Sequence, residues 1–328
     1  MTSYTCENWT LEDVASALNN MHKDGKVIVV PMFQRGKRWR KEQERTFIDS
    51  MYKGYPVGTM LYYKKIDNGV ETYILVDGLQ RGNTIRKYMR NPTEFYSLNE
   101  ISDEKCMDIL HVLDIEGTDI SPIKIHLLKF IKEQKRLKFS ATVYFKLSKD
   151  ICAIYGKEEN IECQETIIEM LESLFLDGQN QYESIAKSII PVIVYNGEES
   201  NLPEIFERIN SKGIALNVYE VYAASWPIDK RFKVNNQEIV DAVVRKYDML
   251  ASDGYHIANY DRDRLHYSKE LNAFEFLFGM GKYLTQKYPN LSFNTKADDD
   301  TVNPLAFELI NACLNDGDKI STLYDKVL

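Results

Sequence analysis

The sequence predicts an α+β fold in which a strand-and-helix N-terminal domain is followed by a mainly helical region. Three observations predict it. Short β-branched runs such as Val27 to Val30 alternate with amphipathic helical stretches in the first 96 residues. Helical spacing of apolar residues dominates from Leu202 onward. With 328 residues, 44% hydrophobic and 27% charged, the chain can bury two cores or one large one.

Taken in order, Leu11, Val14, Leu18 and Met21 share one helical face, with Thr10 as N-cap and Asp13 completing a capping box. Gly25 ends that helix, and Val27 to Val30, closed by Pro31, reads as a strand. A helix over 41–53 follows, with Phe47, Ile48, Met51 and Tyr52 as its apolar stripe and Gly54 as its stop. Strands over Thr59 to Tyr63 and Tyr73 to Val76 are joined at Asp67-Asn68-Gly69, and a helix from about Arg81 to Arg90 ends at Asn91-Pro92. In the middle, 161–176 reads as an acidic amphipathic helix, while Ala141 to Leu147 (ATVYFKL) and Ile189 to Tyr195 read as strands. Helices are expected at 202–210, 217–226, 236–250, 270–286 and 303–314, with Asp298 to Asp300 a solvated loop. The organisation is a core in 1–96, a mixed α/β continuation of the same domain in 97–226, and a helical region of unread role in 227–328.

Composition narrows the class. It excludes a disordered chain, a collagen-like repeat and a disulfide scaffold. No apolar run approaches the ~20 residues that span a bilayer, and the opening MTSYTCENWTLEDV has neither basic leader nor apolar h-region. Cys6, Cys106, Cys152, Cys163 and Cys313 form no CxxC pair, so free thiols in a reducing cytoplasm are expected. The net charge of −8 argues against a general nucleic-acid coat. It is unevenly spread: residues 21–65 and 124–149 each carry +7, leaving −22 for the rest. The second island is most simply the wet face of a helix. The first surrounds a motif, which favours localised anion binding.

Three segments can carry chemistry. In the first, Val30 to Trp39 (VPMFQRGKRW), Arg35 offers a fork of donors for phosphate oxygens and Gln34 can donate and accept. Trp39 can stack on a base, but a core anchor is the weightier reading. In the second, Val76 to Thr84 (VDGLQRGNT), Asp77 at a strand end can hold Mg²⁺, and Gly78 allows the tight turn before a helix N-terminus that favours an anion. There Gln80 can orient a water and Arg81 can neutralise phosphoryl charge. The plainer reading weighs equally: Asp77 caps the helix and Arg81 pairs with an acidic neighbour. The third, Phe206 to Leu216 (FERINSKGIAL) with Glu220 beyond, reads by itself as a helix–turn–helix connection.

Together, Phe-Gln-Arg…Trp, Asp-Gly-Leu-Gln-Arg with Thr84, and Phe-x-x-Ile-Asn-x-x-Gly with Glu220 resemble the N-terminal domain of GmrSD-type modification-dependent restriction endonucleases. Tyr55-Pro56-Val57-Gly58 resembles that family's Pro-Ile-Gly step, and the resemblance covers roughly residues 10–226. It implies a ParB/sulfiredoxin-like fold that binds and hydrolyses a nucleoside triphosphate with Mg²⁺ and regulates cleavage of modified phage DNA. By that resemblance Asp77, Gln80 and Arg81 are the catalytic candidates, with Asp77 on the metal. Gln34, Arg35, Lys37, Trp39, Gly78 and Thr84 are the nucleotide-binding candidates, supported by Asn210 and Gly213. Two positions depart from the family: Leu79 stands where a Gln is usual and Lys37 where an aromatic is usual. Leu79 is expected to point away from the phosphates, and Lys37 to alter base stacking or nucleotide preference.

The family's HNH nuclease has no counterpart here. His256-Ile-Ala-Asn259 with His266 lacks the hairpin such a site needs and reads as a polar loop. No P-loop, zinc-spaced cluster, GxSxG elbow or phosphate-loop cysteine occurs. The expected partners are a nucleoside triphosphate, DNA and a separate nuclease subunit, with self-association open and no membrane. The alternative is a non-catalytic ParB-like module that binds DNA or a partner.

Overall fold

The computed structural model describes residues 3–19, 24–31, 39–67, 70–202, 204–205, 208, 230–252, 254–257, 260–288 and 306. Its centre is a six-stranded mixed sheet in the order β1-β5-β3-β4-β2-β7. The strands are β1 (Tyr4–Thr10), β2 (Val27–Val30), β3 (Met60–Asp67), β4 (Val70–Asp77), β5 (Ile189–Tyr195) and β7 (His256–Ile257). β1–β5 and β3–β4 are antiparallel pairs, whereas β5–β3, β4–β2 and β2–β7 are parallel.

One face of the sheet is covered by α1 (Leu11–Leu18), α2 (Lys41–Tyr52) and α3 (Leu79–Arg90). Alternation along the strands decides which residues meet them: Tyr73 and Leu75 of β4 enter this core, while Ile74 and Val76 face the opposite side with Leu61, Tyr63 and Leu202. The capping box of α1 forms as the sequence predicts. The Thr10 hydroxyl accepts from the Asp13 N–H and the Asp13 carboxylate accepts from the Thr10 N–H, both at 3.0 Å. Leu11, Val14 and Leu18 are fully buried, each contributing about 1.5–3 kcal/mol of apolar burial.

Residues 97–187, expected to mix helices with one strand, hold no strand. They form α4 (Asp103–Val112), α5 (Ser121–Glu133), α6 (Ala141–Ile154) and α7 (Ile161–Ala186), a helical lobe with its own core. The strand expected over Ala141 to Leu147 is the start of α6. Tyr144, Leu147, Ser148, Ile151 and Cys152 fall on one buried helical face, and packing against Phe175 and its neighbours overrides the β-propensity of Thr142, Val143, Tyr144 and Phe145. Helix α7 runs ten residues past the expected end at 176, and its last turn buries Ile185 in the first core.

The C-terminal part completes the first core. After β6 (Phe232–Lys233) come α8 (Gln237–Ser252), β7, α9 (Arg262–Ser268), β8 (Glu270–Leu271) and α10 (Ala273–Lys287). Val240, Val243, Tyr247 and Leu250 of α8 share a cluster with Ile28, Val30 and Ile85, so the hydrophobic core runs across the 226/227 boundary. The segment read as a polar loop around His256 supplies β7, which lies parallel to β2 with His256 opposite Val29. The helix expected at 217–226, the turn at Asn68-Gly69 and the loop at Asp298 to Asp300 lie outside the described residues, as do most of 202–210 and all of 303–314 except Ala306.

Candidate functional site

The second motif sits where β4 turns into α3. Leu61 pairs with Asp77 but Tyr62 with Leu75, so Val76 is an extra residue and forms a bulge. Such a bulge re-aims the residue that follows it. Gly78 then adopts φ 107° as the N-cap of α3, a conformation that disfavours any L side chain; a Cβ there would also lie 3.1 Å from the Met60 Cε. No side chain caps α3. The positive end of the helix therefore lies beside the Asp77 carboxylate with no side-chain hydrogen bond capping it.

Arg81, one turn into α3, closes this turn. Its Nη2 donates to the Asp77 carboxylate at 2.6 Å and to the Thr59 carbonyl at 2.8 Å. Its Nε is buried and has no hydrogen-bond partner. Gly58, just before Thr59, adopts φ 82°, a conformation that favours glycine. Asp77 remains partly open, with 38% of its side chain exposed. Arg81 thus takes the acidic partner expected on the plainer reading, but that partner is Asp77 itself, which does not cap the helix.

Of the first motif, only Trp39 is described beyond Pro31; Gln34, Arg35 and Lys37 lie outside the described residues. Trp39 packs its ring against Phe47, 5.5 Å between centroids, on the first core. Its backbone N–H donates to Gln80 Oε1 at 3.1 Å, which brings the end of the first motif onto the second. Leu79 is buried in the first core. Thr84 is fully buried too, and its hydroxyl donates to the Gln80 carbonyl at 2.9 Å. Thr84 therefore braces the first turn of α3 from within. Asn210, Gly213 and Glu220 of the third motif lie outside the described residues.

Sequence reasoning missed the Thr59 carbonyl. Among the described residues no group of three or more His, Cys, Asp or Glu side chains could hold a metal ion. His266 lies 3.6 Å from Asp241 and His256 sits on β7, so the two histidines serve separate elements. No helix among the described residues is long and apolar enough to cross a membrane.

Fold and turn together define an α+β protein with a strand–glycine–helix turn that carries an Asp–Arg pair. Residues 14–226 match the family model for the GmrSD restriction endonuclease, N-terminal domain, and the chain belongs to that family. Membership points to a role in a GmrSD-type restriction system. No curated protein and no solved structure matches the chain.

Proposed function

We propose that the chain is the nucleotide-hydrolysing regulatory domain of such a system, with a ParB/sulfiredoxin-like site at the β4–α3 turn. The observation that carries this reading is the Trp39 N–H to Gln80 bond, which joins the last residue of the first motif to the second, 41 positions on. The residues present fit an Mg²⁺–triphosphate. Asp77 is a partly open carboxylate beside an uncapped helix N-terminus, and Arg81 holds a buried donor without a partner. Mg²⁺ would bind through Asp77 and the nucleotide's own phosphate oxygens, and it would neutralise charge on the phosphates.

Arg81 orients and neutralises the phosphoryl group undergoing transfer, and Gly78 keeps the backbone close to it. Gln80 holds Trp39, the end of the first motif; an amide oxygen has two lone pairs, so it can also take a hydrogen from the attacking water. That water's oxygen bonds to the terminal phosphorus, the bond to the bridging oxygen breaks, and a nucleoside diphosphate leaves with inorganic phosphate as the water's proton passes to solvent. Gln34, Arg35 and Lys37 contact the nucleotide, with Asn210 and Gly213 in support, and turnover governs a separate nuclease acting on modified DNA in the cytoplasm. Equilibrium dialysis with each of four nucleoside triphosphates and Mg²⁺ tests the reading. The wild type binds at least one of them and Arg81→Ala weakens that binding at least tenfold; equal binding by the two would overturn the assignment.

The Asp77–Arg81 pair also favours a second reading, in which the two groups satisfy each other and the turn is a non-catalytic DNA- or partner-binding module. On that reading Asp77→Ala changes neither nucleotide binding nor phosphate release.

A further inference from the structure

A cavity of about 560 Å³ opens towards the opposite ends of the strands from the β4–α3 turn. The topology sets this separation. β4 and β7 each run parallel to β2, so Asp77 at the end of β4 lies at the C-terminal ends of these strands and Gly254 before β7 at their N-terminal ends. Helix α3 spans the distance and delivers Asn83, Arg86, Lys87 and Arg90 to the cavity wall, where Asn19 from the end of α1 joins them.

Arg86, Lys87 and Arg90 meet one carboxylate in the cavity wall, that of Glu44. Lys87 is paired, at 3.1 Å with Glu44 and 2.7 Å with Glu94. Arg86 and Arg90 have no acidic partner among the described residues. They stand four residues apart on one helical face, where like charges repel. The ends of α1, α3 and α8 meet here, each with about half a negative charge, yet no described carbonyl accepts a hydrogen bond from either guanidinium.

The position of Arg86 is built rather than incidental. Its guanidinium lies on the Tyr255 ring, Cζ 4.1 Å from the centroid, and its Nη1 is buried without a hydrogen-bond partner. Gly254 has φ 85°, and a Cβ there would come within 2.9 Å of that same Nη1. A planar fork held on an aromatic ring, with a second arginine one turn away and two amides on the rim, matches phosphate oxygens. The volume exceeds one phosphate and falls in the range of small-molecule sites.

We infer that Arg86 and Arg90, with Asn19 and Asn83, form a second anion site that takes a phosphate-bearing ligand, separate from the site at Asp77. Binding of pyrophosphate to the full chain tests it, in an Arg81→Ala background that disables the first site. That protein binds one equivalent of pyrophosphate, and adding Arg90→Gln weakens it at least fivefold. Arg90 is exposed, so this variant keeps the fold when Arg86→Gln does not. A nucleoside monophosphate and a short DNA duplex, run in parallel, show whether the phosphate comes from a free ligand or a nucleic-acid backbone. Arg90→Gln in the otherwise wild-type chain leaves nucleoside triphosphate turnover unchanged, so failure here and failure at Asp77 are read separately. No pyrophosphate bound in the Arg81→Ala background, or equal affinity with and without Arg90→Gln, would overturn the inference and leave the arginines as partners of the helix ends.

Discussion

Arg81 bridges the Asp77 carboxylate and the Thr59 carbonyl through one nitrogen, Nη2, at 2.6 and 2.8 Å. The same side chain therefore ties the end of β4 to the approach of β3 and keeps its Nε buried in between. A lysine is shorter in reach and cannot present a fork. Arg81→Lys is expected to lower stability by only about 1 kcal/mol, since Asp77 is partly solvated. Its nucleotide affinity should fall as far as that of Arg81→Ala. Denaturant unfolding and dialysis run on the same preparations check the two numbers, and a lysine variant with wild-type affinity would show that charge alone suffices.

Gly78 is required by conformation. At φ 107°, with Met60 Cε 3.1 Å and Cγ 3.2 Å from the place a Cβ would take, Gly78→Ala combines backbone strain with a displaced buried side chain. The expected cost is about 2 kcal/mol, or roughly 4 °C in the unfolding midpoint, read by calorimetry. An unchanged midpoint would mean that the turn relaxes without effort.

Glu275, nearly inaccessible on α10, holds a buried network. Its carboxylate accepts from Arg231 Nη1 at 3.1 Å, the Tyr247 hydroxyl at 3.0 Å and the Asn272 N–H at 2.9 Å. Glu275→Ala strands the Arg231 charge and a buried phenol, for a loss of about 3–5 kcal/mol. Glu275→Gln keeps an acceptor and should lose clearly less. Urea titration of both variants decides it; equal losses would place the effect in packing and not in the hydrogen bonds.

Burial pushes the Cys106 thiol up to about 11 from an ordinary 9.0. As pH rises the unfolded chain loses this proton first, so the group's contribution to stability is whole below pH 9 and is lost between 9 and 11. In the native protein at pH 8, Cys106 should resist a thiol reagent that labels exposed Cys6 readily, and should react on unfolding. Peptide mass spectrometry locates the label. Native labelling of Cys106 at the rate of Cys6 would contradict its burial.

Much of the sheet side was legible because its signals are local. Thr10 with Asp13 marks a helix start whatever surrounds it, and the glycine between Asp77 and Leu79 marks the strand–helix turn. Elements fixed by distant packing were less so. Strand β1 has one buried residue, Trp9, and exists because β5 pairs with it; β7 is two residues long and is defined by β2. The start of α6 carries β-branched and aromatic residues whose helical state is decided by Phe175, more than twenty positions away. At the site, the motif residues could be named from sequence, but the Arg81–Thr59 contact could not, because a backbone carbonyl leaves no trace in residue type.

The most direct test of the account is phosphate release from ATP, GTP, CTP and UTP with Mg²⁺, with and without DNA, for the wild type and Asp77→Ala. The account predicts turnover of at least one nucleotide by the wild type and its loss, at least a hundredfold, in Asp77→Ala with the fold intact by circular dichroism. Absence of turnover with all four nucleotides, or turnover that survives Asp77→Ala, would contradict it.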